Sequence, residues 1–142
     1  MVINEMEITF KALSVNEGFA RACVAAFCVQ ANPTLDELTD IKTAVSEAVT
    51  NCVVHAYPDK NGEVFINVKI YKDKIYIQVM DKGVGIKDIE QAIQPFFTTK
   101  PKGTGLGTCL SKEIIDSHNG TIKYESEKNK GTKVLISLPL KN

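Results

Sequence analysis

One stretch limits what this chain can fold into more than any other. Thr39 to Tyr57, TDIKTAVSEAVTNCVVHAY, has the spacing of one long helix with a polar line on an otherwise apolar body. Ile41, Val45, Ala48 and Cys52 recur at steps of four, three and four, which makes a core-facing stripe. Glu47, Asn51 and His55 recur at steps of four and so stack on a neighbouring face. Polar side chains beside a core stripe sit in water, bond to a neighbouring backbone, or line a cleft.

The flanking patterns say what this helix packs on. Glu5 to Ala12 alternates Met6, Ile8 and Phe10 against Glu7, Thr9 and Lys11, a strand with one buried face. Asn16, or Ser14 before it, can cap a helix over residues 15 to 31. That helix is apolar nearly all round, with Arg21 as the nearby charge, so a second contact is expected on its far side, either with the long helix or with another protein chain. Asn32-Pro33 stops it, and Thr34 with Glu37 forms a capping box for the next helix. After a turn at Pro58 to Gly62, Val64, Ile66, Val68 and Ile70 alternate, and Ile75, Ile77 and Val79 answer them across a turn at Asp73-Lys74. A short helix over 87–93 and a long loop, Gln94 to Gly107, follow. Leu106, Leu110, Ile114 and Ile115 share a helix face, and Asn119-Gly120 closes that helix with a left-handed cap. Strands over Ile122 to Glu127 and Lys133 to Leu140 flank an Asn129-Lys130-Gly131 turn. The order predicts an α+β fold: a two-layer α/β sandwich, with helices on one face of a mixed, mostly antiparallel sheet.

Length and charge narrow the function classes. At 142 residues the chain is expected to form a single domain, residues 1–142. Seventeen basic residues balance seventeen acidic ones, so direct nucleic-acid binding is not expected. Cysteines at 23, 28, 52 and 109 show neither CxxC nor zinc spacing, and three fall in apolar helical runs where a thiol packs as a small hydrophobe. A reducing cytoplasm is the expected setting. Met1 to Phe10 does not read as a signal peptide, and the longest apolar run, Ala22 to Val29, is far short of the roughly 20 residues of a membrane span.

Two further motifs carry chemistry. Asp81-x-Gly83-x-Gly85 sits at a strand end. An ionised carboxylate only accepts hydrogen bonds, so it suits the exocyclic amine of adenine and repels the carbonyl of guanine. The glycines let backbone approach a flat base, although the same pattern also makes plain turns. Gly103-Thr104-Gly105-Leu106-Gly107 opens a helix, where bare amides favour phosphate, and Lys100 and Lys102 add positive charge. It is neither a Walker loop nor a Rossmann fingerprint, and a surface loop would read similarly.

ExxxN on a helix, then DxGxG after a hairpin, then a threonine- and glycine-rich loop entering a helix resembles the GHKL ATP-binding fold of gyrase, MutL and sensor histidine kinases. The resemblance spans about Leu38 to Leu140. It implies ATP and Mg2+ as cofactors, with Asn51 as the magnesium ligand and Asp81 reading adenine. Gly83, Gly85, Thr99, Lys100, Gly103, Gly105, Leu106, Gly107 and Thr132 would complete the nucleotide site. FARACVAAF, PTLDELTDIKTAVSEAVTNCVVHAY and DKGVGIKDIEQAIQPFFTTKP look like the bacterial anti-sigma-factor serine kinases of the sporulation type. PKGTGLGTCLSKEIIDSHNGTIKYES is closer to sensor histidine kinases. Members of the anti-sigma family bind a sigma factor and phosphorylate a serine of an anti-anti-sigma partner. Glu47 matches their general base, and Arg21 matches an arginine that contacts sigma. A homodimer through the first strand and the apolar helix is expected. The alternatives are a detached histidine-kinase-type catalytic domain and a non-catalytic, ATP-sensing partner-binding module.

Overall fold

The computed structural model describes residues 1–57, 62–84 and 106–140, apart from the side chains of 106–110. Its strands are β1 (Val2–Lys11), β2 (Glu63–Tyr71), β3 (Lys74–Asp81), β4 (Thr121–Glu127) and β5 (Gly131–Pro139). Its α-helices are α1 (Asn16–Cys28), α2 (Leu35–Asn51) and α3 (Leu106–Ser117). The strands form one sheet in the order β1-β2-β3-β5-β4. Each of the four pairings is antiparallel. This is the expected α+β arrangement, with the sheet wholly antiparallel among the described residues.

Alternation decides which sheet face is covered. Val64, Ile66, Val68 and Ile70 of β2 and Ile75, Ile77 and Val79 of β3 are all buried. Val134, Ile136 and Leu138 of β5 continue the same face. Against them pack Ala20, Val24 and Cys28 of α1, Ile41, Val45, Ala48 and Val49 of α2, and Ile115 of α3. Each fully buried Val or Ile side chain stabilises the fold by roughly 1.5–3 kcal/mol. Met6, Ile8 and Phe10 of β1 pack at the margin of this core, as their alternation predicts. α2 lies in the middle of the helical layer, touching both α1 and α3.

Helix boundaries follow local chemistry, with three corrections. The capping box is present: Thr34 Oγ1 accepts from Glu37 N at 3.1 Å, and Glu37 Oε1 accepts from Thr34 N at 2.7 Å. The cap expected for α1 is absent, because Val15 holds that position and Asn16 Nδ2 instead donates to the Lys11 carbonyl at 2.9 Å. The first helix ends its α-helical run at Cys28 and tightens into a 3₁₀ turn, Val29–Ala31, closed by Asn32 at φ 53°. The long helix does not stay α-helical to Tyr57: Cys52–Ala56 forms a π turn. His55 lies within this turn and is half-buried, as Asn51 is. At the other end of the chain, α3 closes as expected on left-handed Asn119, φ 62°, with Gly120 N donating to the Ile115 carbonyl at 3.0 Å. The short helix expected over 87–93 and the loop from 94 to 105 lie outside the described residues.

Candidate functional site

β3 delivers Asp81 to the end of the sheet that the π turn overhangs. In register, Asp81 faces Val64 on one side and Thr132 on the other. Its carboxylate is buried, with 5% exposure. Oδ1 accepts from Gly83 N at 2.9 Å and from Thr132 N at 3.3 Å. Two amides on one oxygen fix the plane of the carboxylate. The Cys52 thiol, on the first residue of the π turn, lies next to the same carboxylate. Burial pushes the Cys52 thiol well above its usual range, and the neighbouring Asp81 charge pushes the same way.

Gly83 is required by close approach. A Cβ there would run into the carbonyl of Ala56, the last residue of the π turn. Val84 N donates to that same carbonyl at 2.8 Å, so the strand end and the π turn are stitched together. Gly131 adopts φ +120°, and a Cβ on it would meet the Asp81 carbonyl. Thr132 Oγ1 lies 3.0 Å from Ser126 Oγ, which donates to the Gly131 carbonyl at 3.1 Å. Asp81, Gly83 and Thr132 therefore converge, and Asn51 adjoins them through Cys52. Asn51 is half-buried at the last α-helical position of α2.

Glu47 stands one turn before Asn51 and opens onto a second feature. A cleft of 390 Å³ is lined by Arg21 from α1 and by Lys42, Thr43, Ser46, Glu47 and Thr50 from α2. Arg21 also pairs with Glu17 at 3.2 Å on the exposed side of α1. The sites expected for partner contact and for proton removal thus share one wall.

Of the remaining expected site residues, Gly85, Thr99, Lys100, Gly103 and Gly105 lie outside the described residues. Leu106 and Gly107 form the first turn of α3. Two partnerships escaped the sequence reading. Tyr57 Oη donates to the Glu63 carbonyl at 2.7 Å and accepts from Lys82 N at 2.8 Å, clamping the strand end beside Asp81. His118 Nε2 lies 2.7 Å from Asp40 Oδ2, with the imidazole only 6% exposed. A usable signal was present for the second: Asp40 precedes Glu47 by seven residues and Asn51 by eleven, which is the same helical stripe.

The donor set fits a purine nucleotide. A fixed carboxylate with no cation paired to it among the described residues suits an amine, and the bare backbone at Gly83 suits a flat ring. Among the described residues no three His, Cys, Asp or Glu side chains gather to hold an ion alone. Mg2+ needs no such cluster, since it takes one or two protein oxygens and completes its shell with water and phosphate.

Known proteins share this layout. Residues 36–142 match the family model described as histidine kinase-, DNA gyrase B-, and HSP90-like ATPase. The anti-sigma F factor of Geobacillus stearothermophilus is 51% identical over 136 residues, covering 94% of this chain and 90% of that protein. The anti-sigma F factor of Clostridium acetobutylicum is 45% identical over 138 residues, covering 96% and 94%. Among solved structures, the catalytic domain of histidine kinase ThkA superposes with a TM-score of 0.64 at 24% identity, covering 97% of each chain. The mycobacterial sensor histidine kinase MprB gives 0.61 at 24% identity, covering 72% of each. The structural likenesses bear on the fold, while the sequence matches run through front and back halves alike. The chain belongs to the histidine kinase-, DNA gyrase B- and HSP90-like ATPase family, and within it to the anti-sigma F factors.

Proposed function

We propose that this protein is an anti-sigma factor and an ATP-dependent serine protein kinase, acting on a serine of an anti-anti-sigma partner. One observation carries the reading: Arg21 and Glu47 line a single cleft, a turn away from Asn51 and the Asp81 cluster. A sigma factor held at Arg21 and a partner presenting its serine to Glu47 would therefore meet the same cleft. The name carried by the relatives supports a sigma factor as one of the partners.

ATP with Mg2+ would supply the phosphoryl group and neutralise the charge that develops during transfer. Asp81 accepts a hydrogen bond from the adenine amine, and Gly83 and Gly85 leave the ring face uncovered. Thr132 stands beside Asp81 at the base. Asn51 offers its amide oxygen to the ion. Thr99, Lys100, Gly103, Gly105, Leu106 and Gly107 supply amides and charge for the phosphates. Glu47 takes the proton of the partner's serine as its oxygen attacks. The protein works as a homodimer through β1 and α1, in the cytoplasm. In support, Phe19 is 54% and Val15 78% exposed at this edge of the fold. No helix among the described residues is long and apolar enough to cross a membrane.

The test is labelling of a purified anti-anti-sigma protein with ATP and Mg2+. Wild type should label a serine. Glu47→Gln should lose about 10²–10⁴-fold in rate while binding ATP as before. Equal rates in the two proteins, or no label in wild type, would overturn the kinase reading and leave a partner-binding module.

A further inference from the structure

The buried contact between His118 and Asp40 joins the two helices on which the proposed reaction depends. α2 carries Glu47 and Asn51, while α3 begins at Leu106, at the glycine-rich stretch. The sheet fixes their relative direction. β2 and β4 run in opposite senses, because three successive antiparallel pairings separate them. α2 leads into β2, and α3 turns directly into β4. The two helices are therefore antiparallel neighbours.

His118 follows the last residue of α3, and Asp40 lies near the start of α2. From Asp40 to Asn51 is eleven residues, about 16 Å along the axis at 1.5 Å per residue. From His118 back to Gly107 is also eleven residues, and so also about 16 Å. With opposite directions and one shared point, equal lengths bring the start of α3 abreast of Asn51. The contact at one end of the helix pair thus determines the alignment at the other.

The chemistry of the contact suits that task better than it suits adhesion. An ionised carboxylate only accepts, so the ring nitrogen Nε2 donates across 2.7 Å. Nδ1 of the same ring is buried without a partner among the described residues. Apolar side chains would hold the helices together without leaving that nitrogen bare. They would not fix the axial position, because apolar surfaces slide where a directional hydrogen bond does not.

We propose that the His118–Asp40 hydrogen bond is a positioning contact for phosphate binding: it sets the axial register of α3 against α2. In this way the amides at the head of α3 are aligned with Asn51. The inference rests on the nucleotide reading above. Neither side chain touches the nucleotide. Loss of the bond shifts the phosphate end of the site and leaves the adenine end, built on β3 and β5, in place.

The experiment is titration of folded protein with AMP and with ATP, each with Mg2+, by calorimetry. The readout is the ratio of ATP to AMP affinity, which a general loss of folded protein does not move. His118→Leu and Asp40→Ala should each lower the ratio about tenfold, the order that a displaced supporting contact costs. The double variant should be no worse than either single one. His118→Gln, whose amide nitrogen can reach the same carboxylate, should keep the wild-type ratio. Should His118→Leu fail to fold, Asp40→Ala at its partly exposed position carries the test. An unchanged ratio in the folded variants, or losses that add in the double variant, would overturn the positioning role and leave the nucleotide reading intact. Failure of wild type to bind ATP would overturn both.

Discussion

Asp81 shows how one side chain can be prepared for a task by its neighbours. Gly83 N and Thr132 N hold Oδ1, and the Cys52 thiol packs beside the carboxylate. These bonds orient the carboxylate without giving it a counter-charge, so its acceptor character is kept. Asp81→Asn preserves the shape but offers a neutral group to the adenine amine. The expected result is a loss of roughly 1.5–3 kcal/mol in ATP binding, the size of one hydrogen bond to a charged group, with selectivity over GTP reduced. Calorimetric titration with both nucleotides measures it. A second residue-scale expectation concerns Cys28, whose thiol burial pushes up to about 12 from an ordinary 9.0. A folded-state value above the unfolded one means that the unfolded chain loses its proton first as pH rises. The stability involved is complete below pH 9.0 and is lost towards 12. Urea midpoints should therefore fall between about pH 8 and about pH 10.5, and less so in Cys28→Ala.

At the scale of elements, α2 is organised by its two ends. Its start is set by local chemistry: Thr34 and Glu37 close a reciprocal box, and Glu37 is buried with 1% exposure. Thr34→Ala should cost about 1 kcal/mol in urea unfolding, with little change in nucleotide affinity because the cap lies at the opposite end of α2 from Asn51. The far end is set by tertiary contact. The π turn brings the Ala56 carbonyl to Val84 N and the Cys52 thiol to Asp81, contacts that lock helix to sheet. Tyr57 adds a hydroxyl that bridges the start of β2 to the residue after β3. Burial, the largest influence, raises the phenol of Tyr57, so the bridge keeps its donating proton further into the alkaline range than an exposed phenol would.

At the scale of the whole molecule, most of the exposed large apolar side chains among the described residues lie at one edge. β1 ends the sheet, and Ile3, Val15, Phe19 and Val29 expose apolar area on or beside β1 and α1. Phe10 meets Phe19 edge-on at 6.2 Å, so strand and helix form one continuous apolar margin. Covering that margin with a second copy is the proposed dimer. Sedimentation at micromolar concentration should give a dimer for wild type and a monomer for Phe19→Glu. A wild-type monomer would remove the dimer from the proposal without touching the nucleotide site. The same arrangement leaves the cleft of Arg21 and Glu47 on the helical layer, facing away from the sheet, where a protein partner can reach it.

The sheet face, the helical layer, the capping box and the left-handed close of α3 are all legible in the sequence. Each of these depends on residues a few positions apart: alternation at two, stripes at three and four, a cap at three. The sequence also marked Asp81, Gly83 and Asn51 as belonging to one kind of site. It takes the folded chain to show that the helix after Asn51 widens into a π turn, that Cys52 and Tyr57 pack beside the Asp81 end of β3, and that His118 meets Asp40. These contacts join residues separated by tens of positions in the chain, so no local period carries their signature. The π turn has no motif of its own; it is held where the Ala56 carbonyl accepts from Val84 N, an approach that the glycine at 83 leaves open.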